Sequence, residues 1–321
     1  MAARVALVSG FVASAVFAVA YAAAPAEIVI SGEKIFPESL TSAKDGTVIL
    51  GSVGARTIFR AKKDSGNAEA WIHPGTDGML GIFGVFADDK SNTLYACSAQ
   101  PFGPPGGPPP PPSALYTFDL KTGAPKGHYP LPTPGAFCND IAVDSEGNAY
   151  ASDTLNMQVV RLKKGAKELE VWAGADAGFG PKGGVLDGIA VLGKRVLVNT
   201  LVTSKIFSVP IGKDGKAGAV TEVKLDRATE RPDGMRSFGK DSLLVVEGGS
   251  GGRLSRVTLS GDSGKVTAIK EGYPDGPVAV TVVGTTGYVL EGQLGAMRGP
   301  PGGTPAPANP FKATAVEVGK P

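Results

Sequence analysis

The stretch "FCNDIAVDSEGNAYASDT", residues 137 to 154, has the pattern of a β-strand, a turn and a second β-strand. Short apolar runs lie on both sides of "DSEGN", and a polar, Gly-containing turn between two such runs is typical of a β-hairpin. Asn139 and Asp140 stand where the first strand should begin to bury its side chains. Two polar residues at that place need a role, and the rest of the chain indicates one.

The same pattern occurs six times: a polar or small residue, an apolar strand, a turn and a second apolar strand. The copies begin at intervals of 46, 55, 48, 46 and 44 residues, at Glu38, Gly84, Asn139, Asp187, Asp233 and Pro277. A third strand such as "QVVRLKK" follows the hairpin, and several copies add a fourth, such as "KELEVWAG". Four short strands every ~40–50 residues are the signature of β-propeller blades.

The sequence therefore predicts an all-β fold, a six-bladed β-propeller of four-stranded antiparallel blades, with residues 26–321 as one domain. The strand "EIVISGEKI" near the N-terminus and "FKATAVEV" near the C-terminus are predicted to share the last blade, which would remove the free edges. A two-sheet sandwich is the alternative, and six units at this spacing disfavour it. The content of 46 Gly, 26 Pro and 42% apolar residues fits many short strands joined by turns.

The first residues, "MAARVALVSGFVASAVFAVAYAAAPAE", place one Arg before an apolar run that ends in small residues. An Ala-x-Ala site at residues 20 to 22 predicts a cleaved signal peptide over residues 1–22. A transmembrane anchor is the alternative, but Ala dominates the run. We expect an exported protein, periplasmic or secreted, without stable membrane insertion after cleavage. The net charge of +2 and the lack of a basic stripe disfavour nucleic acid as a partner; the sequence leaves the oligomeric state open.

Two proline-rich stretches occupy matching places in the second and sixth copies: residues 101–113, "PFGPPGGPPPPPS", and residues 299–310, "GPPGGTPAPANP". Proline lacks the donor of a sheet ladder, so neither stretch can form the interior of a sheet. Stiff loops on one face of the ring are the favoured interpretation. A polyproline II ligand for an aromatic groove is the alternative.

First strands line the central channel of a propeller, so the first residues of the six copies are predicted to form a ring around its axis. Four of them carry side-chain oxygens: Glu38, Asn139, Asp187 and Asp233. Like charges that converge in a confined space are costly unless a cation neutralises them. Oxygen ligands without Cys or His favour Ca²⁺, with Mg²⁺ and Mn²⁺ as alternatives. Simple turn formation by Asp-Gly and Asn-Asp pairs explains one copy better than four in register.

The ends of the second strands predict a further ring on the same face: Ser52, Ser98, Asp153, Asn199 or Thr200, Glu247 and Glu291. A polar pocket centred on a cation and walled by loops suits a small-molecule substrate. Asn139, Asn199, Glu247 and Glu291 are therefore predicted to contact substrate. His73 and His128 fall in links between blades, which disfavours a His-based hydrolase triad.

Several segments resemble the senescence marker protein/gluconolactonase family, also called regucalcin-like: "PES" at 37–39, "CNDIAVDSEGNAYASDT" at 138–154, "LDGIAV" at 186–191 and "RPDGMRSFGKDSLLVVEGGSGGRLSRV" at 231–257. The resemblance covers the six copies in order. It implies a six-bladed propeller with a divalent metal in the channel and, in several members, hydrolysis of sugar lactones. It also implies that Glu38 and Asp233 are metal ligands and that Asn139 lies on the substrate side.

Two residues depart from the family pattern. Asp187 stands where the family usually has a ligand Asn, and "NDIAV" lacks the Gly of the family's substrate motif, so lactone specificity does not follow. The leading hypothesis is a divalent-metal-dependent hydrolase of a small lactone or related ester. Glu38, Asp187 and Asp233 would hold the metal, and Asp233 would also be the catalytic base. The alternative is an exported propeller that binds a ligand or a protein and catalyses nothing.

Cys97 and Cys138 are the only two cysteines of the chain. Cys97 ends the second strand of the second copy and Cys138 begins the first strand of the third, so both are expected on one face of neighbouring blades. An oxidising compartment would allow a disulfide to persist, and it would close a loop of roughly 40 residues. Two buried free thiols are the alternative.

Overall fold

The structure is a computed structural model that describes residue 1 and residues 24–100, 111–249, 251–274, 276–297 and 310–321. Most of the predicted signal peptide and of the two proline-rich stretches lies outside the described residues. Strands dominate the described part, whose helical elements are two short 3₁₀ turns and α1 (Leu294–Met297). None of the helices in these ranges is long and apolar enough to cross a membrane.

The strands are short, as the hairpin pattern predicts. The first thirteen are β1 (Glu27–Ile30), β2 (Pro37–Ser42), β3 (Val48–Ser52), β4 (Ile58–Ala61), β5 (Asn67–Ile72), β6 (Gly81–Asp88), β7 (Thr93–Ala99), β8 (Ala114–Asp119), β9 (Pro125–Pro130), β10 (Cys138–Val143), β11 (Ala149–Asp153), β12 (Gln158–Leu162) and β13 (Glu170–Ala173). The others are β14 (Leu186–Leu192), β15 (Arg195–Thr200), β16 (Lys205–Pro210), β17 (Thr221–Glu222), β18 (Lys224–Leu225), β19 (Pro232–Phe238), β20 (Ser242–Glu247), β21 (Arg253–Ser260), β22 (Ser263–Glu271), β23 (Pro277–Val283), β24 (Thr286–Glu291) and β25 (Phe311–Glu317).

These strands form five sheets in the described part of the chain. Three sheets have four strands each, in consecutive order: β6 to β9, β10 to β13 and β14 to β17. A fourth has the order β18-β22-β21-β20-β19, and a fifth has the order β2-β3-β4-β5-β1-β25-β24-β23. Neighbours are antiparallel except for the parallel pairs β1/β5 and β18/β22. The eight-stranded sheet therefore contains two antiparallel groups of four strands, joined by one parallel pair.

The two ends of the chain meet in one of these groups of four. Strand β1 pairs with β25, with Ile28 opposite Ala313, and β25 pairs in turn with β24. An ion pair of 2.6 Å between Lys312 and Glu27 joins the same two strands. The prediction that the terminal strands share the last sheet unit is therefore confirmed.

The first strand of each repeat is called an inner strand below. The inner strands contact one another in a closed cycle, β2 to β6, β10, β14, β19, β23 and back to β2. A closed cycle of strands surrounds a central axis, so the inner strands line a channel. The cycle supports a division into six blades, which stays a prediction.

The hydrophobic core fills the spaces between neighbouring sheets. Between the sheets of β10 to β13 and β14 to β17, for example, Tyr150, Phe179 and Phe207 are buried in one cluster. The Tyr150 ring packs edge-on against Trp172, with ring centroids 4.9 Å apart, and its hydroxyl hydrogen-bonds Asp144 at 3.1 Å.

Every inner strand contains a break in its pairing near its start. In β14, for instance, Leu186 pairs with Thr200 of β15, and the next paired residue is Ile189, opposite Val198. Asp187 and Gly188 are therefore left out of the ladder. Such β-bulges bend a strand and re-aim the side chains at the bulge. The first residue left out of each ladder is called a bulge position, and the six are Glu38, Phe83, Asn139, Asp187, Asp233 and Val278.

This register corrects the predicted ring at two places. Gly84 and Pro277 were expected in the ring, but Phe83 and Val278 occupy the corresponding bulge positions. Gly84 is the second residue of its bulge, and Pro277 still pairs in the ladder, opposite Glu291. The sequence pattern locates the strand to within one residue, which is too coarse to place a bulge.

Candidate functional site

Three of the bulge positions bring carboxyl groups together. One carboxylate oxygen from each of Glu38, Asp187 and Asp233 lies within 4.8 Å of the others. Glu38 is 7% exposed and Asp187 is 5% exposed. The residues come from β2, β14 and β19, so the cycle of inner strands, and no single hairpin, assembles the cluster.

Glycine allows the inner strands to approach closely enough for this. A Cβ on Gly188 would lie 2.4 Å from the carbonyl oxygen of Asp233 on the next inner strand, and one on Gly234 would lie 2.6 Å from that of Val278. Neither distance is compatible with a side chain. The Asp-Gly pairs therefore mark close contacts between strands, and the alternative that they only form turns is wrong.

The three carboxyl groups hold their protons more tightly than usual. Burial raises the pKa of Glu38 well above 4.5, and the charges of Asp187 and Asp140 raise it further, while Arg236 lowers it. Burial, then the charge of Asp233, raises the pKa of Asp187 well above 3.8. Burial, then the charge of Glu38, does the same for Asp233. A hydrogen bond between Asp187 and Asp233 needs a proton on one of them.

Two buried amide oxygens lack hydrogen-bond partners in the described part of the chain, those of Asn139 and Asn199. Asn139 is 6% exposed and occupies the bulge position of β10; Asn199 is fully buried in β15. The Asn199 amide nitrogen donates to the carbonyl oxygen of Asp233 at 2.6 Å, which holds this side chain beside the cluster. Buried polar atoms are normally paired, so each orphan oxygen indicates a partner that the protein itself does not supply.

An arginine that the sequence analysis missed lies further along the channel. One terminal nitrogen of Arg236 in β19, Nη1, donates to both carboxylate oxygens of Asp140 in β10, at 2.8 and 3.1 Å. Its other terminal nitrogen donates to the carbonyl oxygens of Leu40 in β2, at 3.3 Å, and Val85 in β6, at 3.2 Å. One side chain thus links four of the six inner strands across their cycle.

Asp140 explains the second polar residue of the opening stretch. Besides Arg236, its carboxylate accepts the backbone N–H of Ile189 at 3.1 Å, and its own N–H donates to Ser152 at 3.0 Å. Asn139 thus occupies the ring, and Asp140 holds Arg236 and the next inner strand. The sequence offered one signal for this pair: a lone Arg three residues after Asp233 in a strand that is otherwise apolar or small.

The predicted second ring has the expected register but a different role. The paired residues of the second strands are Ser52, Ser98, Asp153, Thr200, Glu247 and Glu291. In four repeats these side chains hold the chain that enters their own inner strand; for example, Ser98 accepts the N–H of Leu80 at 2.8 Å, and Asp153 accepts that of Phe137 at 2.9 Å. The ring therefore stabilises these repeats from within.

Glu247 illustrates why these residues do not reach the cluster. Its fully buried carboxylate accepts two hydrogen bonds from Arg227, at 2.8 and 3.1 Å, one from Ser255 and one from the N–H of Glu230. Burial raises the pKa of Glu247, but these hydrogen bonds outweigh burial and keep it below 4.5. Glu291 is buried beside Tyr273, whose pKa rises through burial and then through the Glu291 charge. Neither glutamate belongs to the acidic cluster.

A disulfide joins Cys97 and Cys138, whose Cα atoms are 5.1 Å apart. Cys97 directly precedes Ser98, the residue of its second strand that pairs just before the bulge. Ser152 and Asn199 hold the equivalent place in the next two repeats, before Asp153 and Thr200. Ser152 donates to the carbonyl oxygen of Asp187 and Asn199 to that of Asp233, both at 2.6 Å. The disulfide is therefore the covalent counterpart of a hydrogen bond that fastens a second strand to the next inner strand.

A cavity of about 370 Å³ opens onto the cluster, because Asp233 forms part of its wall. Apolar side chains make up most of the lining: Val53, Phe83, Leu201, Val278, Leu294 and Met297. A larger depression of about 670 Å³ lies around hairpin turns at the other end of the strands, near Lys44, Lys63 and Trp71. It contains none of the three clustered carboxylates, so the smaller cavity is the better candidate for a site.

The residues present fit a hard divalent cation. Three converging carboxylates and buried amide oxygens without partners form an all-oxygen donor set, which Ca²⁺, Mg²⁺ and Mn²⁺ prefer. His73 and His128 lie in the link after β5 and in β9, away from the inner strands, so they add no nitrogen donor to this set.

The comparisons with known proteins identify the fold. No family model matches the sequence, and no curated protein matches it. Regucalcin, described as a calcium-binding protein from Agrobacterium tumefaciens, aligns with a TM-score of 0.59 and 13% identity over 92% of this chain and 97% of its own. A gluconolactonase from Xanthomonas campestris aligns with a TM-score of 0.61 and 13% identity over 89% of this chain and 87% of its own.

A third structure shows that the likeness extends to a different chemistry. Virginiamycin B lyase from Staphylococcus aureus aligns with a TM-score of 0.58 and 17% identity, over 83% of this chain and 80% of its own. At these identities the likeness establishes the fold alone, and that fold is a β-propeller. The resemblance drawn from the sequence motifs is thereby confirmed for the fold.

Proposed function

We propose that this protein is a divalent-cation-dependent hydrolase of a small lactone or related ester, with cation and substrate at the mouth of the central channel. The observation that carries the proposal is the convergence of the carboxyl groups of Glu38, Asp187 and Asp233, of which Asp233 also lines a mostly apolar cavity. The partnerless amide oxygens of Asn139 and Asn199 support it, because a cation or a substrate would supply the missing partner. The likeness to a gluconolactonase fold agrees with it.

In this proposal Glu38, Asp187 and Asp233 hold the cation, and calcium is the favoured ion. A bound divalent cation would polarise the substrate carbonyl and make water more acidic. Three ionised carboxylates leave one negative charge uncompensated by a divalent ion, and Asp187 contributes the charge that the resembling family usually lacks. We therefore expect tight binding and a preference for calcium, whose larger shell admits the amide oxygens as well.

Asp233 is the carboxylate placed to accept a proton from the attacking water, because it both joins the cluster and lines the cavity. Its Oδ1 accepts the N–H of Gly234 at 2.9 Å, which fixes one oxygen and leaves the other for the reaction. Asn199, held by its bond to the Asp233 backbone, would orient the substrate together with Asn139. In this proposal substrate and water enter from the cavity that Asp233 lines.

The test is hydrolysis of a panel of lactones and aryl esters after removal of metal, with calcium, magnesium and manganese restored one at a time. We expect activity that a chelator abolishes and one cation restores. Asp233→Asn should retain cation binding but lose turnover by roughly 100-fold or more, the usual contribution of a general base. Asp45→Asn, in an exposed turn at the other end of the strands, is the matched control. Full activity of Asp233→Asn on every substrate would refute the mechanism.

A propeller that only binds a cation and a ligand is the second candidate, favoured by the description of regucalcin as a calcium-binding protein. It would share the cluster and the cavity but show no turnover with any cation. Calorimetric calcium binding without hydrolysis across the panel would favour this candidate. We also propose export after cleavage near residue 22, which agrees with the Cys97–Cys138 bond; N-terminal sequencing of the protein from its native host tests it.

A further inference from the structure

The six bulge positions divide into two chemically different parts. Asn139, Asp187 and Asp233 are consecutive in the cycle of inner strands, and Glu38 completes the oxygen-bearing set. The remaining two positions, on either side of Glu38, hold Phe83 and Val278. The ring around the channel therefore has an oxygen-rich part, which suits a cation, and two apolar side chains beside it.

Phe83 and Val278 are also part of the cavity wall, together with Asp233. They bring apolar surface to the same level of the channel as the clustered carboxylates. Phe83 is fixed by an edge-on contact with Phe137, with ring centroids 4.6 Å apart, and Val278 is 5% exposed. Both are therefore rigid parts of the site.

The cavity offers few hydrogen bonds to a ligand. Among the described residues that line it, Arg231 and Asp233 alone have polar side chains; the others are apolar or glycine. Arg231 is exposed, and the function proposed above assigns Asp233 to the cation and the attacking water. A ligand with several hydroxyl groups would lose its hydrogen bonds to water here and regain few of them, which is costly for each group.

We infer that the substrate is a hydrophobic lactone or ester, with an alkyl or aryl substituent against Phe83 and Val278, and not a polyhydroxylated sugar lactone. This inference rests on the function proposed above and specifies its substrate class. The volume of about 370 Å³ lies near the lower end for ligand pockets, so the substituent is small. The carbonyl would face Asp233, and the substituent would lie along the apolar positions of the ring.

The inference is tested by binding, independently of turnover. Two δ-lactams replace the lactones because they resist hydrolysis: one carries a pentyl group, and glucono-δ-lactam carries four hydroxyl groups. With calcium present, we expect the pentyl lactam to bind at least about tenfold more tightly in calorimetry, as two or more unpaired hydroxyl groups would cause. Equal or tighter binding of glucono-δ-lactam, or binding of neither lactam, would overturn the inference.

Val278→Thr keeps the shape of the side chain and places a hydroxyl group in the apolar wall. We expect it to weaken binding of the pentyl lactam about fivefold without weakening that of glucono-δ-lactam. Val280→Thr is the matched control, since Val280 is buried two residues further along β23 and does not line the cavity. An equal effect of both substitutions would contradict a role of Val278 in ligand selection.

The two proposals fail in different ways. If the pentyl lactam binds as expected but no lactone or ester is hydrolysed, the hydrolase proposal is wrong and the apolar ligand class stands. If gluconolactone is hydrolysed in preference to alkyl lactones, the hydrolase proposal stands and the apolar substrate class is wrong.

Discussion

Replacement of Asp187 by Asn is expected to stabilise the cation-free protein at pH 8 and to weaken its stabilisation by calcium. Asp187 and Asp233 share a hydrogen bond that needs a proton on one of the two carboxyl groups. An Asn side chain can donate that hydrogen bond permanently, and it removes one buried charge. The substitution therefore replaces two neighbouring carboxyl groups, which repel each other when both are ionised, by a neutral amide donor and one carboxylate.

The size of the effect follows from the spacing of the cluster. Two unit charges 4.8 Å apart repel by about 3.5 kcal/mol at an effective dielectric constant of about 20. Proton uptake relieves part of this repulsion in the wild-type protein. We therefore expect Asp187→Asn to raise the free energy of unfolding by about 2–3 kcal/mol at pH 8 in the presence of a chelator.

The effect depends on pH in a defined direction. Burial and neighbouring charges raise the folded-state pKa of Glu38, Asp187 and Asp233 above the ordinary values of 4.5 and 3.8. Such groups contribute stability that is fully present below those values and is lost as the pH rises through the raised pKa. Wild-type protein in chelator should thus lose stability as the pH rises above these ordinary values, and Asp187→Asn should lose less.

The assay is urea unfolding of both proteins at pH 5, 6, 7 and 8, in chelator and in calcium, with Asp45→Asn as the control for a generic Asp-to-Asn change. Calcium should stabilise the wild type more than Asp187→Asn at pH 8, because the wild type offers the ion three carboxylate ligands and the variant offers two. Destabilisation by Asp187→Asn in chelator at pH 8, or an equal effect at pH 5 and pH 8, would refute the reasoning.

Three further predictions concern residues outside the acidic cluster. Glu247→Gln should cost about 1–3 kcal/mol in urea unfolding, because Arg227, Ser255 and the N–H of Glu230 lose a charged acceptor, while the kcat/KM of any activity stays within about twofold. Selective loss of kcat/KM would support a substrate role for Glu247. The lowered pKa of Glu247 also predicts that its contribution is present above pH 4.5 and lost below it. Serine at both Cys97 and Cys138, 41 residues apart, should cost about 4 kcal/mol by loop entropy, and a loss under about 1 kcal/mol would contradict this. Arg236→Met should cost about 3–5 kcal/mol, mostly recovered when Asp140→Asn is added; additive costs would mean that the pair is not coupled.

The repeat and the acidic residues could be predicted because both follow a periodic pattern in the sequence. Strands of period two, separated by turns and recurring every ~40–50 residues, indicate a propeller, and inner strands of a propeller share one axis. Glu38, Asp187 and Asp233 stand at equivalent positions of three repeats, so the sequence alone predicted that they lie close together. The structure places their oxygens within 4.8 Å.

The remaining features depend on geometry that a repeat pattern does not contain. A bulge shifts the ring by one residue, which exchanged Gly84 for Phe83 and hid the apolar part of the site. The repeat pattern gives the position of Glu247 at the end of its strand, and on that basis Glu247 was predicted to contact substrate. The direction of its side chain depends on Arg227, twenty residues away, which the pattern does not contain. Arg236 contacts residues up to 197 positions distant, and no local signal encodes such contacts.

The pairing of β1 with β25 also sets the order in which this protein can be made. Ile28 faces Ala313, so the earliest strand to be synthesised waits for the latest, and closing so long a chain costs roughly 5 kcal/mol of entropy. Until then, the edges by which β1 and β25 pair with each other stay unpaired, the kind of surface through which chains associate wrongly. The folding rate should therefore be more sensitive to changes in β1 than to changes of similar size in an interior hairpin, and nascent chains that stop short of Phe311 should remain open arcs.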